Sequence, residues 1–329
     1  MRVVTILGLC SLALPAASQT TSANPDVAAF IVDMAQKHRM DRETLAQEFD
    51  GVRFRNRIIE LMDKQSKRLP WTDYRSRFVN EAKLSRGLRF WQDQEAALEL
   101  ARRRYGVPPE IIVAILGVET HYGKNKGSFG VLEALTTLAF QYPKRAELFR
   151  LELEHFLLLA MEEPLPLREP VGSYAGAMGI AQFMPGSYRR YAVDFDGDGR
   201  RDLFANEADA IGSVANYLTA YGWQRGAPVA VPATLDARAK PTFDEAELTT
   251  RIPLETLRES GVSAVGAFES SLAAIPLTLW NGDSSEFWLG FENFYVITRY
   301  NHSTYYAMAV FQLSQELLAL RSPPRAGEP

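Results

Sequence analysis

A chain of 329 residues with 47% hydrophobic and 23% charged residues can bury one large core or two domains, and its net charge of −4 excludes a general affinity for nucleic acid. A single cysteine, Cys10, excludes an internal disulfide framework. The charge is uneven, however: residues 53–104 hold 14 Lys/Arg against 7 Asp/Glu, a basic stretch that would suit an anionic polymer beside a cleft.

The first residues read as an export signal. Arg2 precedes an apolar stretch from Val3 to Leu14, and Pro15-Ala16-Ala17-Ser18 offers small residues that fit cleavage after Ser18. The stretch is too short to span a membrane. Cys10 lies inside it, so the mature chain would hold no thiol at all. Leu9 stands where a lipid-attachment site wants a small residue, and residues 1–18 therefore predict a soluble exported protein rather than a lipid-anchored one.

Helical spacing starts soon after, with Val27, Phe30, Ile31 and Met34, then Leu45 and Phe49, then Ile58, Ile59 and Met62. A helix over 95–104 leads to the most informative segment, Pro108-Pro109-Glu110 followed by eight residues that are all apolar or Gly, then Glu119-Thr120-His121-Tyr122-Gly123. Prolines suit the first turn of a helix, and a helix apolar on every side is a buried one. Its last turn delivers the Glu119 carboxyl group into a dry environment, where desolvation raises the pKa and makes a proton donor usable near neutral pH. A Glu paired with an arginine, or one that reaches water at the helix end, is the plainer alternative. Further helices are predicted over 131–140, 145–161 and 208–221, with Tyr142-Pro143 breaking the first two apart.

Composition changes after Trp223. Pro228, Pro232, Pro241 and Pro253 punctuate short apolar runs, and 275–280 and 286–290 flank Asn281-Gly282-Asp283 as a β-hairpin would. Phe294-Tyr295-Val296-Ile297-Thr298 reads as a further strand. The fold class is thus α+β, mainly α: a helical domain over 26–223, a small β-containing insertion over 224–299, a C-terminal helix over 300–321 returning to the first domain, and a frayed tail over 322–329.

Two motifs carry further chemistry. Gly172-Ser173-Tyr174-Ala175-Gly176-Ala177-Met178-Gly179 with Gln182-Phe183-Met184-Pro185 has small residues that allow close backbone approach to a ligand, or equally a tight helix crossing. Asp194, Asp196, Asp198 and Asp202 stand at positions 1, 3, 5 and 9 of a calcium-type loop, with Gly199 at 6 and the Arg200 carbonyl at 7. Position 12 is Ala205, so Glu207 or Asp209 must close the site. The four histidines have no zinc spacing, and no Ser-His-Asp arrangement or P-loop is evident.

Gly117-Val118-Glu119-Thr120, Gly123, the 173–185 motif, Asp194 to Gly199, Ala210-Ile211-Gly212-Ser213-Val214-Ala215-Asn216-Tyr217-Leu218 and Arg299-Tyr300-Asn301 with Tyr305-Tyr306 together resemble the membrane-bound lytic murein transglycosylase B family, glycoside hydrolase family 103. The resemblance runs in order along nearly the whole mature chain. It implies a lysozyme-like helical domain carrying the β-containing insertion, a periplasmic location and an enzyme that cleaves the β-1,4 bond from N-acetylmuramic acid to N-acetylglucosamine in peptidoglycan. Glu119 would act as acid, then as base for the sugar's own C6 hydroxyl, leaving a 1,6-anhydro end without a second carboxylate. Ser173, Gln182, Tyr217, Tyr300, Asn301 and Tyr306 match residues lining the subsites. Tyr74 and the pair Lys144-Arg145 match outer positions, where the family usually has two arginines. No catalytic cofactor is implied, only a structural Ca2+ or Na+ in the 194–209 loop, with Asp209 favoured as the displaced last ligand. Glycan strands are the expected partner of a monomer, with other cell-wall enzymes beside it. A lysozyme-type hydrolase and a non-catalytic wall-binding protein are the competing readings.

Overall fold

Side-chain caps decide where several of the helices start. In the computed structural model, which describes residue 21 and residues 24–64, 69–237, 239, 243 and 246–321, the Asn24, Asp41, Asn80 and Asn206 side chains accept from backbone N–H groups at the starts of α1 (Pro25–His38), α2 (Arg42–Phe49), α5 (Glu81–Asp93) and α11 (Glu207–Ala220). Each cap satisfies donors that a helix start otherwise leaves open. The expected leader over 1–18 and tail over 322–329 lie outside the described residues. Between the capped helices run α3 (Asn56–Asp63), α4 (Trp71–Ser76), α6 (Glu95–Tyr105), α7 (Pro109–Thr120), α8 (Val131–Gln141), α9 (Ala146–Glu162) and α10 (Pro185–Tyr191).

The centre of this helical body is α7. Every residue from Ile111 to Val118 is buried, as an all-apolar helix must be. Its end is abrupt, because His121, Tyr122 and Gly123 all take left-handed backbone angles of φ 54°, 59° and 77°. For a tyrosine this conformation is strained. What holds it is a notch between two glycines: an added Cβ at Gly87 of α5 or Gly117 of α7 would collide with the Tyr122 hydroxyl. That hydroxyl donates to the Lys83 carbonyl at 3.1 Å. The ring stacks on Phe90 at 5.5 Å.

The second unit is an antiparallel sheet of β4 (Ile252–Pro253), β6 (Ala273–Trp280), β7 (Ser285–Gly290), β3 (Ala230–Leu235) and β5 (Val262–Ala264), in that spatial order. The predicted hairpin is β6 and β7, in a register that sets Leu277 opposite Trp288 and Trp280 opposite Ser285. Strand β6 is buried on both sides. Ile275, Leu277 and Leu279 join the large core of the helical body, while Ala274 faces a smaller core with Leu257, Val262, Leu289 and Phe291. A helix, α12 (Leu254–Glu259), packs beside β4 and β5.

One sequence expectation is overturned. Residues 294–298 form no strand; they lie in α13 (Glu292–Tyr300), whose Phe294, Val296 and Ile297 enter the large core. Buried Asn293 fixes the helix start by bonding to the backbone of Gln224 and Ala227. The aromatic and β-branched composition suggested a strand, and tertiary packing overrode it. The last helix, α14 (Thr304–Arg321), packs against α7.

The glycine notch gives a direct test. A Cβ at Gly117 would stand 2.5 Å from the Tyr122 hydroxyl and 2.7 Å from its ring. Gly117→Ala should therefore lower stability by about 1–3 kcal/mol, read as a fall in thermal midpoint, whereas an unchanged midpoint would show that Tyr122 moves aside freely.

Candidate active site

Glu119 ends α7 with part of its surface open and its carboxyl group deeply surrounded by protein. Tyr306, on the first turn of α14, donates to Glu119 Oε1 at 2.5 Å. Burial pushes the Glu119 pKa up to about 7, while the Tyr306 hydrogen bond and the Lys83 charge pull it partway back. Desolvation outweighs both, so the proton is held weakly enough to give and strongly enough to be present near neutrality. Burial and the Glu119 charge keep the Tyr306 and Tyr300 hydroxyls far above their ordinary pKa, so both stay neutral donors.

Beside this carboxyl group Tyr217, Tyr300 and Tyr306, all named from the sequence, form a continuous aromatic array. Tyr300 stacks on Tyr306, with centroids 6.5 Å apart and planes 13° off parallel, and packs on Tyr217 at 4.9 Å. Tyr300 donates to the Ala181 carbonyl at 2.7 Å, and Tyr217 to that of Arg299 at 2.6 Å. Tyr74, on α4, sits between Trp71 and Tyr305 and feels the Glu119 charge.

The small-residue motif is a loop, not a helix crossing. A two-residue pairing of β1 (Phe129–Gly130) with β2 (Val171–Gly172) leads into it. Ser173 then folds the chain over its own hydroxyl, which accepts from Ala175 N and Ala177 N at 3.3 and 3.1 Å. Gly176 and Gly179 take φ of 85° and 71°, and a Cβ at Gly179 would strike the Leu203 carbonyl. Gln182, at φ 50°, spends its amide nitrogen on the Lys126 and Gly179 carbonyls. Two anchors tie the loop to the Glu119 region: the Tyr300 bond to Ala181, and Thr120, whose hydroxyl donates to the Ile180 carbonyl at 2.8 Å.

Other predicted residues stand apart. Asn301 is exposed at the end of α13. Lys144 is salt-bridged to Asp63 at 2.6 Å and Arg145 lies over the Phe149 ring; among the described residues, no hydrogen bond or ion pair joins either to the Glu119 group. Lys83 and Thr120 were given no role by the sequence. A lysine 36 residues before the acid carries no signal until the helices are folded together.

Of the five predicted carboxylate ligands the structure gathers three. Asp194, Asp196 and Asp209 each bring an oxygen within 4.8 Å of the others. Asp198 accepts from Arg200 N, and Asp202 turns Oδ1 to Phe204 N and Ala205 N, and these two carboxylates stand outside the trio. Asp209 is fully buried and accepts from Phe195 N and Asp202 N at 2.7 Å each. Three converging carboxylates repel one another, and all-oxygen donors on a tight turn suit a hard cation such as Ca2+.

A family profile described as "Transglycosylase SLT domain" matches residues 22–315. The chain belongs to that family. It is 44% identical over 311 residues to the membrane-bound lytic murein transglycosylase B of Escherichia coli K12, covering 91% of this chain and 84% of that protein. The E. coli lytic transglycosylase Slt35 in complex with calcium superposes with a TM-score of 0.86 at 43% identity, over 92% of this chain and 96% of Slt35. SltB3 from Pseudomonas aeruginosa, in complex with NAG-anhNAM-pentapeptide, matches at a TM-score of 0.79 and 31% identity, over 89% of this chain and 79% of SltB3. The fold is thus the lysozyme-like, mainly helical α+β fold of these transglycosylases.

The hydrogen bond to Tyr306 favours the charged form of Glu119, so its loss must raise the pKa. Tyr306→Phe should move the Glu119 titration up by about one unit, followed by 13C NMR of the labelled carboxyl; an unmoved or lower value would deny that the bond matters.

Proposed function

We propose that this protein is a peptidoglycan lytic transglycosylase in which Glu119 alone serves as acid and base. Membership of the SLT transglycosylase family supports the reaction class. The observation that carries the assignment to Glu119 is its buried, Tyr306-bonded carboxyl group with a pKa near neutrality.

Neutral Glu119 donates its proton to the glycosidic oxygen between N-acetylmuramic acid and N-acetylglucosamine, and the C1–O bond breaks. The resulting carboxylate then takes the proton of the muramic acid C6 hydroxyl as that oxygen bonds to C1. The 1,6-anhydro ring closes, Glu119 regains its proton, and no water is consumed. A hydrolase would use a second carboxylate roughly 5–10 Å away. Among the described residues, the groups that act on the Glu119 carboxyl are the Lys83 charge and the Tyr306 hydroxyl. Kinship with lytic transglycosylases favours transglycosylation over hydrolysis.

Ser173 and Gln182 line the sugar subsites, with exposed Asn301 at their rim and Tyr74 beyond them, while the rings of buried Tyr217 and Tyr306 and half-buried Tyr300 form the floor beneath. Lys144 and Arg145 would meet peptide or lactyl carboxylates, Lys144 by exchanging Asp63 for substrate. All these groups lie on one chain, so a monomer suffices. Among the described residues no helix is long and apolar enough to cross a membrane. Export to the periplasm rests on the leader-like residues 1–18.

Digestion of purified sacculi with mass spectrometry of the products tests the whole reading. Wild type should release anhydro ends, and Glu119→Gln should be slower by about a thousandfold. Reducing ends, or an undiminished variant, would overturn it. Because the acid must carry its proton, kcat/KM should fall as pH rises through about 7, and a flat profile across that value would contradict the role.

Asp194, Asp196 and Asp209 would hold a calcium ion that stiffens the turn entering α11. Saturating Ca2+ should then raise stability by about 2–3 kcal/mol at a hundred times its dissociation constant, read as a melting shift reversed by chelator and absent in Asp194→Ala. No shift in wild type would remove the metal from the account.

A further inference from the structure

Lys83 sits where simple electrostatics would not put a lysine. It is in the first turn of α5, whose start is capped by the Asn80 carboxamide accepting from Lys83 N at 3.1 Å. A cation near a helix N-terminus meets the positive end of the helix dipole. Its side chain is also half-buried, and burial draws its pKa down. Ammonium groups avoid burial unless something pairs with them.

What compensates lies on the neighbouring helix. Lys83 Nζ donates to the Gly117 carbonyl at 2.5 Å. That carbonyl is in the last turn of α7, two residues before Glu119, where the dipole is negative. Gly117 has no side chain to block the approach. The ammonium further lies 5.6 Å from the Phe78 ring centroid, and the Lys83 carbonyl accepts from Tyr122 at 3.1 Å. Lysine backbone and side chain are thus fixed at several points to the structure that ends α7.

We propose that Lys83 is a positioning residue for the reaction: its ammonium, seated on the end of α7, is the counter-charge for Glu119 during the interval when Glu119 is a carboxylate. This inference rests on the acid/base reading of Glu119. After proton donation a buried negative charge must survive until the C6 hydroxyl arrives. From the other packed elements Tyr74 on α4, Tyr300 on α13 and Tyr306 on α14, all neutral, feel the Glu119 charge, and Lys83 on α5 is the cation that acts on it. His121, next to the helix end, does not share the task. Burial and the charges of Lys83, Arg86 and Lys124 keep it neutral. Beside the Tyr306 hydrogen bond, Lys83 thus draws the Glu119 pKa back from the rise that burial causes, acting through the carboxylate rather than on the sugar.

The test is the pH profile of anhydro-product formation by wild type, Lys83→Met and Lys83→Arg, with Lys83→Gln in reserve should the Met variant not fold. Losing the charge removes a pKa-lowering influence, so the alkaline limb of kcat/KM should move upward by about half to one unit. The maximal kcat should fall about tenfold, with little change in KM. The arginine variant should keep the wild-type limb. A limb that stays in place in folded Lys83→Met or Lys83→Gln would overturn the proposal, since a purely structural role alters the thermal midpoint and not the limb. If wild type makes no anhydro ends, the Glu119 reading fails first; if wild type and Glu119→Gln behave as expected and only the limb is unmoved, Lys83 alone is wrongly assigned.

Discussion

Everything in this protein is arranged around one constraint, the delivery of a carboxyl group from the end of a helix that has no polar face. A helix buried from Ile111 to Val118 cannot reorient, because every rotation would exchange one packed face for another. Its last turn is therefore as fixed as the core itself. The three left-handed residues after Thr120 stop the helix at once and leave Glu119 on its final turn. The Gly87–Gly117 notch holds Tyr122 in its strained conformation, so the core bears the strain that ends the helix.

From that fixed point the site assembles by short tethers. Thr120, the residue after the acid, grips the carbonyl of Ile180, and Tyr300 grips that of Ala181. The loop over 173–183 is thereby tied on one side to α7 and on the other to α13. Tyr306 is tied directly to the carboxyl group. The acid, the loop and the tyrosines thus belong to one hydrogen-bonded unit drawn from distant parts of the chain. Such pre-organisation is what a site needs when charge appears and disappears on a single buried group.

How far the sequence foretold this depends on the kind of signal involved. The apolar run before Glu119 was legible because burial on all sides leaves no other pattern, and the hairpin about Asn281-Gly282 because turn chemistry is local. Residues 294–298 misled, since their strand-like composition was answered by a core that wanted a helix and by Asn293 reaching the Gln224 and Ala227 backbone. The calcium-type spacing announced an acidic loop, but which carboxylates converge depended on Asp202 turning to cap Phe204 and Ala205 and on Asp209 arriving from α11. Lys83 was invisible altogether. Its meaning comes from a carbonyl on another helix, and carbonyls leave no mark in a sequence.

The two-sided burial of β6 has a consequence for the molecule as a whole. Ile275, Leu277 and Leu279 complete the core of the helices, while Ala274, one step along the same strand, completes the core beneath the sheet. A strand shared in this way cannot act as a hinge, for swinging it would tear open both interiors together. The sheet is a buttress rather than a lid.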